Sequence, residues 1–187
     1  MSRIREATPE DAERVAEIYR PYVENTAVTF ETVPPDEAEM RSRIVEHLKA
    51  YPFLVMEEDG RVVGYAYAGA FHERRAYRPT VELSVYMDEA FRGAGRGEAL
   101  VRELLSRLKA DPRYFTAMAV IVHPNPRSER MFEKLGFGVN PSPFEPREDI
   151  IQVISLGNRE KLIASFAAEA RGRNAGHELK TEEMKHV

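Results

Sequence analysis

The run Arg92-Gly93-Ala94-Gly95-Arg96-Gly97 is made of residue types suited to holding a phosphate. Glycines at every second position let the backbone turn tightly and bring its amide hydrogens close to a ligand that a Cβ would keep away. Behind it, residues 98–110 place apolar side chains at 100, 101, 104, 105 and 108, the stripe of a helix. Open amides in the first turn of that helix, with the positive end of its dipole, would attract a pyrophosphate. Arg92 and Arg96 add charge to the same place. The glycines alone would equally suit a flexible strand-to-helix connection. Glu98 and Ala99 stand where a P-loop needs Lys and Ser/Thr, and the even spacing of the glycines does not fit Gly-x-Gly-x-x-Gly, so neither common nucleotide loop is present.

Just ahead of the loop, residues 80–87 alternate, sending Val81, Leu83, Val85 and Met87 to one face of a strand and Glu82, Ser84 and Tyr86 to the other. Alternation by itself allows Glu82 to sit on a solvated face. In a central strand, however, a carboxylate is costly without a partner or a task. Partial desolvation would raise its pKa and let it take a proton from an ammonium group, which cannot attack an electrophile until it has a lone pair. The absence of cysteine excludes a disulfide framework, a thiolate metal site and a cysteine nucleophile, and the histidines show no metal-ligand spacing.

These candidates need elements to position them. Residues 2–7 read as a first strand, with Thr8 as N-cap and Pro9 at the first position of a helix running to about residue 22. Asp36 and Glu39 form a capping pair for a second helix ending near residue 50, whose buried face is Met40, Ile44, Val45 and Leu48. Strand-like runs at 53–57 and 61–68 flank Asp59-Gly60, a strong hairpin signal. After 80–87 come a helix at 98–110, a strand at 116–122 and a helix at 127–135 stopped by Gly136. Strand, helix, strand implies a right-handed crossover, so 80–87 and 116–122 should be parallel neighbours. Pro141, Pro143 and Pro146 predict an extended loop over 140–149, followed by a possible strand at 150–156, a helix at 159–171 and a polar end.

The fold class expected is α/β, a mixed, mostly antiparallel sheet flanked by helices. Residues 1–158 should form one domain and 159–187 a C-terminal helix and polar tail. A net charge of −4 from 27 basic and 31 acidic side chains, mixed along the chain, argues against nucleic acid or an anionic membrane as partner. No apolar run reaches the ~18 residues of a membrane span and the start is charged, so a cytoplasmic protein is expected.

Arg92, Gly95 and Gly97 match the Gln/Arg-x-x-Gly-x-Gly/Ala pyrophosphate loop of the GNAT superfamily of acyl-CoA-dependent N-acyltransferases. The segments 19–23, 26–32, 51–55, 64–69, 75–77, 80–86 and 135–137 resemble in particular its phosphinothricin and methionine sulfone acetyltransferases, over roughly residues 2–139. The resemblance implies a GNAT fold whose parallel strand pair splays apart to admit acetyl-CoA. It implies direct transfer of acetyl to the α-amine of a small amino acid or analogue, with Glu82 as base. Backbone groups of Val85, Tyr86 and Met87 would hold the pantetheine arm, and Arg92, Gly93, Ala94, Gly95, Arg96, Gly97 and Glu98 the pyrophosphate. Asn125 and Ser128 would contact the cofactor; Phe30, Glu31, Arg75, Ala76 and Tyr77 would line the acceptor site. A homodimer is implied as well. Seven residues after Asn125, where many relatives carry a tyrosine acid and others a histidine, this chain has Phe132, and it lacks tryptophan and the usual C-terminal motif. Other amine acceptors, such as a polyamine, an antibiotic or a protein N-terminus, fit the same residues, as does a catalytically weak acyl-CoA sensor.

Overall fold

The computed structural model of the 187-residue chain describes residues 2–29, 31–73, 75–140 and 149–156. The expectations for Phe30, the 141–148 part of the proline-rich loop, and the helix and tail beyond 156 lie outside those residues. The described strands are β1 (Ser2–Glu6), β2 (Phe53–Glu58), β3 (Arg61–Ala70), β4 (Thr80–Met87), β5 (Thr116–Val122), β6 (Gly138–Asn140) and β7 (Asp149–Ser155). The helices are α1 (Ala12–Asn25), α2 (Glu37–Leu48), α3 (Arg96–Ala110) and α4 (Pro126–Lys134). One sheet runs in the order β1-β2-β3-β4-β5-β7-β6. Every neighbouring pair is antiparallel except β4 and β5, which are parallel as the crossover through α3 requires.

Two apolar layers cover the sheet. On one face Val15, Ile18 and Tyr19 of α1 and Met40 and Ile44 of α2 pack on Phe53, Val55 and Tyr65. On the other, Leu100, Val101, Leu104, Leu105 and Leu108 of α3 pack on Leu54, Ala66, Ala68, Val81 and Leu83. The alternation in β3 explains the division: its tyrosines face α1 and α2, while the methyl groups of Ala66 and Ala68 let α3 approach closely. Fully burying each leucine of that stripe is worth about 2 kcal/mol.

Local signals decide most boundaries. Asp59 and Gly60 take φ of 48° and 82°, the left-handed pair that a two-residue hairpin needs. The Asp36 carboxylate accepts the Glu39 amide at 2.8 Å and starts α2. Four expectations are corrected. Thr8 and Pro9 open a single 3-10 turn, Pro9–Asp11, and the α-helix begins only at Ala12. Val45 is 40% exposed, because the buried stripe of α2 is narrow and follows Met40 and Ile44. α3 begins at Arg96, two residues earlier than predicted, so Arg96 and Gly97 belong to its first turn. β6 was not foreseen, since three residues carry no periodicity and are made a strand by pairing with β7.

β2 and β3 also slip register between Met56 and Glu57, a bulge that leaves Val63 as the extra residue on β3. Its carbonyl accepts the Asp88 amide at 2.9 Å. Beside it, a Cβ on Gly64 would overlap the Met87 sulfur and terminal methyl.

Candidate active site

β4 and β5 pair only from Thr80/Thr116 to Glu82/Met118, although both strands continue. Beyond Glu82 the sheet therefore opens on a gap. The Asp88–Val63 bond fixes which backbone groups face it. Residues directly opposite and bonded in an antiparallel pair recur every second position, so 82, 84, 86 and 88 turn their backbone to β3, and 83, 85 and 87 turn theirs to the gap. Of the three strand residues proposed from sequence to hold an acyl carrier, Tyr86 is thus directed to β3, and its ring lies edge-on to Tyr19 and Tyr22 at 4.9 and 5.0 Å. Met87 faces the gap, yet the Tyr22 hydroxyl donates to its carbonyl at 2.7 Å and accepts from its amide at 3.0 Å. Val85 faces the gap and lines the cavity beyond it.

That cavity, about 450 Å³, runs from Val85 and Met87 along the glycine loop to α4. Gly93, Ala94 and Gly95 have φ of 97°, 49° and 74°. Three successive left-handed residues wrap the loop around the start of α3, a conformation that costs a non-glycine residue about 1–2 kcal/mol. The Arg96 amide bonds the Gly93 carbonyl at 3.2 Å, and the Ala99 amide bonds that of Gly95 at 2.9 Å. The amides of Gly97 and Glu98 between them have no helical acceptor. Gly93, Gly95, Gly97 and Glu98 all line the cavity, as do Asn125 and Ser128 across from them; Ala94 does not. Asn125 accepts the Ser128 amide at 3.3 Å and caps α4. Open amides, a loop without side chains and a helix N-terminus make a cradle that fits a pyrophosphate.

The two loop arginines are held by partners. Arg92 bonds Glu89 at 3.1 Å and lies over the Tyr22 ring, 4.9 Å from its centre. Arg96 makes a forked pair with Glu58 at 2.8 and 3.1 Å, tying the first turn of α3 to the β2–β3 hairpin. Sequence reasoning missed Arg127, Arg130 and Lys134, which line the far wall. Their spacing, i, i+3 and i+7, was the available signal, since it puts them on one side of a helix.

Glu82 stands where the strand pairing stops, on the face toward α1 and α2. Burial raises its pKa, and the charge of His72 pulls it partly back. Opposite it on β3 is Gly69. The space a side chain would fill there is met by the Nε2 of His47, 3.5 Å from where a Cβ would be. The His47 Nδ1 lies 3.0 Å from the Arg43 carbonyl and the ring is edge-on to Tyr67 at 4.8 Å, with burial holding its pKa below the ordinary value.

Glu31, expected in the acceptor wall, is gripped by Arg43 at 2.7 and 2.9 Å and accepts the Tyr19 hydroxyl at 3.0 Å. The Arg43 bonds hold its carboxyl below the usual range. Arg75, Ala76 and Tyr77 form one 3-10 turn, and the Tyr77 ring packs against Phe71 and His72 at 6.2 and 5.1 Å. Phe132 is buried against Phe137 at 4.9 Å and points into the core.

Residues 12–137 match the Acetyltransferase (GNAT) family. The chain is 40% identical over 110 residues to a phosphinothricin N-acetyltransferase of Alcaligenes faecalis, a match spanning 58% of this chain and 56% of that enzyme. It is 35% identical over 138 residues, 73% of this chain and 80% of the other, to the L-methionine sulfoximine/L-methionine sulfone acetyltransferase of Salmonella typhimurium. The crystal structure of a GNAT superfamily phosphinothricin acetyltransferase from Sinorhizobium meliloti in complex with AcCoA superposes with a TM-score of 0.76 at 36% identity, covering 83% of this chain and 89% of that one. A strand pair that parts above a glycine cradle, and a sequence match running through both, lead to one conclusion: the chain belongs to the GNAT acetyltransferase family.

Proposed function

We infer that the protein transfers the acetyl group of acetyl-CoA to the α-amine of a small amino acid or analogue of the phosphinothricin or methionine sulfoximine/sulfone kind. The relatives and the AcCoA-bound neighbour support this reading of donor and acceptor. Bound in the cavity, acetyl-CoA supplies an activated thioester. The amides of Gly97 and Glu98 bind its pyrophosphate, and the gap-facing backbone of Val85 orients the arm. Glu82 accepts the proton of the incoming ammonium, directly or through a water, so that a neutral amine meets the thioester. Phe132 has no proton to give to the departing thiolate; a thiol with a pKa of about 8.5 leaves tolerably without one.

The observation that carries this is Glu82, a carboxylate whose pKa burial raises at the point where the strands part. A positioned base contributes roughly 10²- to 10⁴-fold in rate. Glu82→Gln should therefore keep acetyl-CoA affinity while losing at least ~10²-fold in thiol release with amino acid acceptors. Unchanged turnover would remove Glu82 from the mechanism. The core position of Phe132 favours one second reading, a weakly catalytic acyl-CoA sensor. Tight acetyl-CoA binding with no thiol release against a panel of amines would select it.

We further place the protein in the cytoplasm, where its acyl donor is made and used. Family resemblance supports a homodimer, for which sedimentation should give twice the chain's 21.3 kDa.

A further inference from the structure

We propose that Arg127, Arg130 and Lys134 form a second anion subsite that takes the 3′-phosphate of the coenzyme, so that the protein discriminates CoA from 3′-dephospho-CoA. The proposal rests on the acetyl-CoA reading of the cavity. α4 is packed directly on the cradle: a Cβ added at Gly97 would lie 3.4 Å from the Met131 sulfur. Arg130 is adjacent to that contact, and Arg127 and Lys134 lie about one turn to either side. All three line the cavity and are exposed to solvent.

Charge pairing separates this wall from the loop. Arg92 has Glu89, Arg96 has Glu58, and the one acidic residue lining the cavity, Glu98, is paired with Arg102 at 2.7 Å. Arg130 shares part of its charge with Glu129, while Arg127 and Lys134 stand exposed at the cavity wall. The Arg130 Nε bonds the Pro126 carbonyl at 2.9 Å, which leaves its other guanidinium hydrogens for a ligand. Of the two acids on α4, Glu129 is held mainly by the Asn125 amide at 2.7 Å and the His123 ring at 3.1 Å, and Glu133 is exposed to solvent.

The three cations themselves are placed unfavourably along α4. Like charges three and four apart repel, and Arg127 in the first turn opposes the helix dipole. An anion at the cavity mouth relieves both. The cradle amides already suit the pyrophosphate; the remaining charge of the coenzyme is a phosphomonoester, which carries nearly two negative charges at neutral pH. Arginines meet such a group with paired hydrogen bonds.

Calorimetric titration of the full chain with CoA and with 3′-dephospho-CoA tests this. CoA should bind about tenfold or more tightly, the equivalent of one charge-assisted hydrogen bond, and the difference should shrink as salt is raised. The combined substitutions Arg127→Ala, Arg130→Ala and Lys134→Ala should weaken CoA to the level of the dephospho form and leave the dephospho affinity unchanged, which also reports an intact fold. Adenosine 3′,5′-bisphosphate should compete with CoA better than inorganic phosphate does. Equal affinity of the unsubstituted protein for the two coenzymes overturns the subsite alone. An equal loss for both coenzymes in the triple variant overturns it too, assigning the cations to the pyrophosphate. No binding of either coenzyme overturns the subsite together with the acetyl-CoA reading.

Discussion

The two sides of β4 are built by different means. The side proposed to hold the cofactor is mostly backbone: left-handed residues 93–95, the open amides of Gly97 and Glu98, and a strand edge freed where pairing with β5 ends. The side proposed to receive the acceptor is mostly side chain, and its groups come from distant elements: Glu82 from β4, His47 and Arg43 from α2, Tyr19 from α1 and Glu31 from the segment after it. A backbone site needs a short stretch of sequence with the right φ values. A side-chain site needs the whole fold before its members meet. The first can serve many relatives unchanged, while the second is where acceptor preference can vary.

The largest effect expected from this division is on Glu82. Because its pKa is raised, the acid limb of kcat/KM should lie above the ordinary glutamate value of 4.5, with activity falling as pH drops through it. The stability effect has the opposite sense. Between the unfolded and the raised folded pKa the folded protein holds more protons, so stability falls as pH rises across that window. Above it, Glu82→Gln should melt at a higher temperature than the parent, and a lower melting temperature there would show that the carboxylate has a stabilising partner.

Next in size, Gly95→Ala acts on the cofactor side alone. No atom lies within 4 Å of the added carbon, so the cost is the left-handed backbone at φ of 74°, about 1–2 kcal/mol. Acetyl-CoA affinity should fall up to about tenfold with the acceptor KM unchanged; a raised acceptor KM would mean the two sides are coupled through the loop. The smallest effect belongs to Tyr22→Phe, which removes both bonds to Met87 and keeps the ring under Arg92. A loss of about 1 kcal/mol in chemical denaturation is expected.

The same division explains what the sequence made legible. The β4-loop-α3 unit, the Asp59-Gly60 hairpin and the parallel β4/β5 pair were readable, because glycines and periodicity encode backbone locally. The Glu31–Arg43 pair, the Tyr22 hydroxyl on Met87 and the strand β6 were not, since each exists only through contacts between segments far apart in the chain. Glu82 falls between the two cases: its face of the strand followed from alternation, but its desolvation depended on how the rest of the fold closes over that face. The basic side of α4 was readable as a spacing, and only the packing of Met131 on Gly97 showed that it turns toward the cradle.

The bulge that admits Val63 leaves Gly64 beneath the Met87 side chain, which in turn comes within 3.9 Å of where a Cβ on Gly97 would stand. Met87 therefore rests on an empty position at one end and forms part of the cavity wall at the other. Any side chain at 64 would have to displace the end of the Met87 side chain, a residue that lines the cavity. Gly64 thus fixes where the Met87 side chain lies, and the cavity wall can be altered from the neighbouring strand β3, without touching a residue that lines it.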